Sequence, residues 1–408
     1  MDARPIGGER YRAWRAVRHV LAVRLDALGD VLMTTPALRA ARCSHPERRL
    51  TLLTSPAGAE AARLVPDVDD VIVYDAPWVK ATGRRTSAQP DRHMIRRLAA
   101  RRFDAAVIFT VHSQNPLPAA LMCYLADVPL RLAHCRENPY QLLTDWVRDP
   151  EPNERRRHEV ERQLDLVASV GWRAPDARLR LEVPEAAKAS VRRAMRELGL
   201  SVGTPWAVIH PGATAPSRRY PAKHFARVVH ALAAEHGWRL VLTGSSAERD
   251  LAERLAREGY GAAVSLAGRL SLAELAALIA EAPLLISNNT GPVHIAAAVG
   301  TPVVDLYALT NLQHTPWRVP SRVLYRDVPC RCCYRSVCPE GHHACLEGVS
   351  PERVVEAACE LLAASKEGSV RTTVDAVAAR RVCAQRHDIR DRRGDSDDAD
   401  EVAAEGGP

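Results

Sequence analysis

The sequence predicts an α/β protein of two Rossmann-like domains facing a central cleft. Short apolar runs alternate with segments of helical spacing from His19 onward, and a second round of the same alternation starts near Trp206. Each round is about 150 to 180 residues, an ordinary domain length. The 408 residues, 47% hydrophobic, are enough for two cores. The expected organisation is a loose basic extension (1–17), a first domain (18–184), a second (185–350), a closing helix (351–365) and a disordered polar tail (366–408).

In the first domain His19 to Leu25 reads as a buried strand, and Val31 to Ala41 has helical spacing. The Gly29-Asp30 turn between them sets Asp30 at the strand's carboxyl edge, where such sheets bind ligands. Strands follow at 49–54, 71–75 and 104–110, with helices at 57–64 and 91–102 and a Pro/Gly/Arg/Ser-rich loop at 76–92. Helix 91–102 is strongly basic, with Arg92 and Arg96 among its charges. His112 lies in the polar stretch after the fourth strand, which reads either as a plain loop or as a set of hydrogen-bonding groups for a hydroxylated ligand. Residues 136–158 are poorly patterned, and their run around Arg156 reads as a solvated face or a contact for an anionic acceptor.

In the second domain strands are expected at 206–211, 239–243, 263–267, 284–289 and 301–307. Ser271 and Glu274 spell a capping box before the helix 271–282. Leu284 to Ala298 reads as strand, turn and helix, with Gly291 and Pro292 at the helix start. The N–H groups and positive dipole end of that helix suit an anion, with a diphosphate the obvious candidate.

A net charge of +7 favours an acidic partner such as phosphate or anionic lipid. With three Phe and no aromatic-plus-basic cluster, nucleic acid is not expected. The absence of G-x-G-x-x-G argues against redox chemistry. No apolar run reaches 18 residues and no secretion signal is evident, so the expected location is cytoplasmic. The ten cysteines are then expected as thiols. Cys330, Cys333, Cys338 and Cys345 could surround a structural zinc ion, but their spacing fits no standard finger.

Four turns at strand ends could carry chemistry: Gly29-Asp30, the stretch 210–221, the stretch 243–248 and the stretch 288–292. Thr214 and Arg218 supply a hydroxyl and a cation for a diphosphate. Ser246 and Glu248 offer acceptors for ribose hydroxyls, and Glu248 also suits a helix first turn.

The stretch Arg24-Leu25-Asp26-Ala27-Leu28-Gly29-Asp30-Val31 resembles the opening signature of the bacterial heptosyltransferases, glycosyltransferase family 9. His210-Pro211-Gly212-Ala213, Arg219-Tyr220-Pro221, Thr243-Gly244-Ser245 and Asn289-Thr290-Gly291-Pro292-Val293-His294 are similar to that family's later motifs, in the same order. The resemblance spans roughly 18–364. It implies the GT-B fold with the active site between the domains and a C-terminal helix crossing back to the first. It also implies inverting transfer of heptose from ADP-heptose to a lipid A–Kdo type acceptor at the inner-membrane surface, with no cofactor required. The family's catalytic acid falls on Asp30, and its donor contacts on Thr214, Arg218, Ser246 or Glu248, Asn289, Thr290, Gly291 and His294; Arg92, Arg96, His112 and Arg156 are expected as acceptor contacts from their own charge and placement in the first domain. Asn289 stands where the family commonly has Asp, which leaves two alternatives open: a different nucleotide sugar, or a non-catalytic nucleotide-sugar binder.

Overall fold

The computed structural model describes residues 8–366, apart from 80–82, 84, 201–204, 309 and 310. Beyond Lys366, the tail expected to be disordered lies outside the described residues.

The first unit runs α1 (Gly8–Ala16), β1 (His19–Arg24), α2 (Leu28–Ser44), β2 (Arg49–Thr54), α3 (Ala59–Ala62), β3 (Asp70–Val73), α4 (Gln89–Arg101), β4 (Ala105–Ile108), α5 (Leu117–Leu125), β5 (Leu130–Cys135), β6 (Asp145–Arg148) and α6 (Glu159–Ala168). Its strands form one parallel sheet ordered β3-β2-β1-β4-β5-β6. The second unit runs α7 (Glu185–Glu197), β7 (Trp206–His210), α8 (Ala222–His230), β8 (Arg239–Leu242), α9 (Arg249–Arg257), β9 (Ala263–Ser265), α10 (Leu272–Glu281), β10 (Leu285–Asn288), α11 (Gly291–Val299), β11 (Val303–Leu306), β12 (Ser321–Leu324), α12 (Ala344–Glu347) and α13 (Pro351–Lys366). Its sheet is ordered β12-β11-β10-β7-β8-β9. Read from the other edge, this is the first order with every strand number raised by six. Helices cover both faces of each sheet, so the central strands are continuously apolar rather than alternating; β4, β7 and β10 are buried throughout.

In both sheets the winding direction reverses next to the first strand, between β1 and β4 and between β7 and β10. The carboxyl ends flanking a reversal leave a crevice that no connecting loop fills, and that is where such sheets take ligands. The two crevices face each other. Between them α2 packs on α11, with Leu32 and Met33 in one apolar cluster with Val293 and Ile295. The approach is close enough that a Cβ on Gly29 would lie 2.5 Å from the His294 ring. Only glycine fits there.

Two expectations are corrected. The 1–17 extension is not loose in its described part: α1 buries Trp14, whose indole N–H donates to Asp145 at 3.0 Å and whose ring meets Trp172 edge-on at 5.4 Å. One tryptophan in a basic stretch gives no periodic signal, and its partners lie more than a hundred residues away. Nor does the C-terminal helix cross back. Val354, Ala357, Ala358 and Leu361, spaced three and four apart, fill the outer face of the second sheet with Phe225 and Val228.

Candidate active site

At the end of β1 the chain puts an arginine inside the protein. Arg24 is fully buried and faces three carboxylates: its Nη2 donates to Asp30 Oδ1 at 3.0 Å, its Nη1 to Glu159 Oε1 at 2.8 Å, and its Nε lies 3.0 Å from Asp26 Oδ2 off the hydrogen-bond axis. Burial works against its charge, but Asp26, Glu159 and Asp30 outweigh it and hold the guanidinium protonated. Asp30 sits in the first turn of α2, and its second oxygen accepts the Ala27 N–H at 3.3 Å. The carboxylate is therefore fixed from two sides while its side chain stays 18% exposed to the cleft. Burial raises the Asp26 carboxyl, Arg24 pulls it down and Asp30 pushes it up again.

The facing crevice is built for an anion. The turn Pro216–Arg218 after β7 carries Arg218 into the cleft, and no carboxylate pairs with it among the described residues. The turn is strapped from behind by the cysteine-rich segment: Ser217 N–H donates to Ser336 O at 2.9 Å and Ser217 Oγ to Arg335 O at 2.7 Å. Gly212 passes so near Glu248 that a Cβ would lie 1.9 Å from Glu248 Oε1. Glu248 Oε2 accepts from the Ser245 N–H and hydroxyl at 2.7 and 2.9 Å, so one oxygen caps the turn at Ser246 and the other leans over Gly212. Thr290 and Gly291 open α11 with Pro292 at its first positions.

Asn289 is buried and donates to Asp305 Oδ2 at 2.9 Å and His314 O at 3.0 Å, while its own Oδ1 has no partner among the described residues. A carboxylate thus stands one strand away from position 289, where the resemblance led to the expectation of Asp. It brings little charge, because burial pushes Asp305 up to about 8 against the Asn289 hydrogen bond and Arg218. His294 is buried against Gly29 at the domain contact, and burial together with His314, His158 and Arg218 keeps it neutral.

Both sides line one cavity of about 730 Å³, which includes Asp26, Asp30, His112, Glu151, Arg218, His314 and Tyr334. The short turn Leu312–His314 closes it and joins the domains. Gln313 donates to Glu151 at 3.2 Å, and Thr315 O and His158 Nε2 lie 2.9 Å apart. Burial lowers His112 although Gln313 opposes it, and the ring meets Tyr334 edge-on at 5.7 Å.

Of the sequence-derived residues, Asp30, His112 and Arg218 line the cavity. Thr214 is exposed one residue before lining Ala215. Arg156 is half-buried behind the lining loop, its Nε donating to Pro152 O at 3.2 Å. Arg92 and Arg96 stand on the solvent face of α4, outside the cavity. The run around Arg156 is only partly a solvated face. Arg157 is buried on Glu151 and Asp165, and Arg162 clamps Asp149 and Glu151 at 2.6 Å each. Arg24, Asp26, His314 and the 334–336 segment were not expected as site residues; only Asp26, four residues before Asp30, carried a local hint.

Cys330, Cys333, Cys338 and Cys345 carry free thiols, and among the described residues no group of three or more His, Cys, Asp or Glu is arranged to hold a metal. The zinc expectation therefore has no support.

The family model "Glycosyltransferase family 9 (heptosyltransferase)" matches residues 92–344. The chain belongs to this family. It is 26% identical over 365 residues to lipopolysaccharide heptosyltransferase 2 of Salmonella typhimurium, covering 86% of this chain and 99% of that one. It is 29% identical over 323 residues to lipopolysaccharide heptosyltransferase 1 of Pseudomonas aeruginosa, covering 78% and 87%. Among solved structures, the ADP-heptose lipopolysaccharide heptosyltransferase II of E. coli superposes with a TM-score of 0.67 at 24% identity, covering 85% and 99%. A family 9 glycosyltransferase from Veillonella parvula gives 0.71 at 22% identity, covering 85% and 97%. The fold is GT-B, and the protein is a glycosyltransferase.

Proposed function

We propose that the protein transfers heptose from ADP-heptose, with inversion, to a lipid A–Kdo type lipopolysaccharide acceptor. The observation that carries this reading is one cavity with a pinned carboxylate, Asp30, on one wall and, on the other, Arg218, a cation with no carboxylate partner among the described residues. An acceptor hydroxyl gives its proton to Asp30 as its oxygen bonds to the anomeric carbon. The bond from that carbon to the diphosphate breaks on the opposite face, and the electron pair leaves with the nucleotide. Arg218 and the first N–H groups of α11 receive the charge that develops on the leaving diphosphate. Thr214, Ser246, Glu248, Thr290 and Gly291 border the nucleotide. Asn289 and His294 act behind them by holding the turn and the domain contact. His112 and Arg156 belong to the acceptor side.

Arg92, Arg96 and Arg97 on α4 are exposed without a carboxylate partner among the described residues, and neighbouring α5 exposes Leu121, Tyr124 and Leu125. A basic face beside an apolar one suits peripheral contact with an anionic bilayer at the cytoplasmic face of the inner membrane. No helix among the described residues is long and apolar enough to cross one.

The test is a donor screen read by mass spectrometry, offering ADP-heptose, UDP-sugars and GDP-sugars with a purified lipid A–Kdo acceptor. The reading expects a mass increase from ADP-heptose alone. Transfer from a UDP- or GDP-sugar instead would move the protein to the second reading that Asn289 motivates, a GT-B enzyme with another donor.

A further inference from the structure

The first sheet holds a second cavity of about 250 Å³, and it sits at the reversal itself. Its floor is the carboxyl ends of β1 and β4, with Val23, Leu25, Ile108 and Phe109. Its rim is Asp26, Ser113, Gln114 and Asn115, and Trp78 closes it from the turn after β3. That turn is tied by the Val79 N–H on Ala76 O at 3.1 Å, and Trp78 meets Tyr74 edge-on at 5.8 Å. Trp78 is 36% exposed, large for a tryptophan with a folded wall on one side.

Asp26 and Ser113 also line the larger cavity, so the two spaces share a border. That border lies beside the proposed base, because Asp26 and Asp30 sit on the same Arg24 guanidinium. Gln114 Nε2 donates to Asp26 Oδ1, which orients both side chains along the rim. An apolar floor, one aromatic wall and a rim of carboxylate, amides and hydroxyl match the two surfaces of a pyranose. Its C–H face packs on an aromatic ring and its hydroxyls need fixed donors and acceptors. The volume is below the roughly 300–1,000 Å³ of sites for drug-sized ligands, which limits the occupant to one ring.

We propose that this cavity is a subsite for one sugar ring of the acceptor, next to the ring that carries the attacking hydroxyl. Trp78 packs on the ring face, and Asp26, Ser113 and Gln114 take its hydroxyls. The inference rests on the acceptor reading of the first domain given above.

The experiment measures binding of a Kdo disaccharide to the full chain by saturation-transfer NMR, which needs no turnover, with ADP affinity measured alongside by calorimetry. Trp78→Ala is expected to weaken the disaccharide on the order of tenfold, with Trp78→Phe recovering most of it and ADP affinity unchanged. Gln114→Ala, on an exposed side chain, is expected to weaken the same sugar several-fold. An unchanged disaccharide affinity in both alanine variants overturns the subsite and leaves the acceptor reading standing. Binding of octanoate at Trp78 in place of the sugar also overturns it, by making the cavity an acyl-chain site. A wild-type chain that binds ADP but no inner-core sugar overturns the acceptor reading itself.

Discussion

The two domains share one strand order and differ at the same place, the crevice beside the first strand. In the first sheet β1 ends in a buried arginine that gathers Asp26, Asp30 and Glu159, so the exposed group is a carboxylate. In the second, β7 runs into Pro211 and Gly212, and the charged side chains that line the cleft from this domain are Arg218 and Arg335. The topology supplies the position and the residues supply the sign. A carboxylate on one wall can remove a proton, while a cation on the other can stabilise a departing anion. Of the second domain's carboxylates near this site, Asp305 is buried and raised to about 8, and Glu248 is engaged by the Ser245 N–H and hydroxyl.

Replacing the arginine tests how far the acid wall depends on it. Arg24→Met leaves Asp26, Asp30 and Glu159 without their shared counter-charge, and its expected cost is about 3–5 kcal/mol in denaturant unfolding. A loss under about 1 kcal/mol would mean the carboxylates are neutralised in another way. Arg218→Ala probes the opposite wall. It is expected to weaken ADP by roughly ten- to a hundredfold in calorimetry, the size of a lost charge-assisted hydrogen bond, with Arg218→Lys recovering part. Gly29→Ala should push the two walls apart, since the added carbon meets His294. About 1–3 kcal/mol of stability should go with it.

A pH-dependent effect concerns Asp305. Its folded pKa is raised from 3.8 to about 8, so the folded state keeps a proton that the unfolded chain releases. Its contribution to stability therefore falls as pH rises through that window. Asp305→Asn should gain in Tm on the wild type between pH 5 and pH 8. The buried histidines slope the other way, since His158 is lowered to about 4 by burial and favours folding less as pH falls below 6.5. A constant Tm difference between the two proteins would show that Asp305 is ionised throughout.

Local chemistry made much of this legible. The β1–Gly29–α2 and β10–Gly291–α11 units follow from apolar runs, a glycine and a first-turn proline, and Ser271 caps α10 through Glu274 as its spacing indicates. What the chain did not disclose depends on partners far apart. Arg24 meets Glu159 across 135 positions, and Trp14 meets Asp145 across 131. A charge run is ordinarily solvated, yet Arg157 is buried because Glu151 and Asp165 converge on it. The Leu312–His314 turn and the strap at 335–336 follow no periodic pattern, since each is held by backbone contacts to another element. Strands β6 and β12 are only four residues long, and helix α5 begins among prolines, so neither gave a clear period.

The division between the two walls is tested most directly by Asp30→Asn, with single-turnover transfer and ADP binding measured on one preparation. Transfer should fall by about 10²- to 10⁴-fold, the usual contribution of a positioned base, while ADP affinity stays within error of the wild type. Retained transfer, or an equal loss of ADP binding, would contradict it.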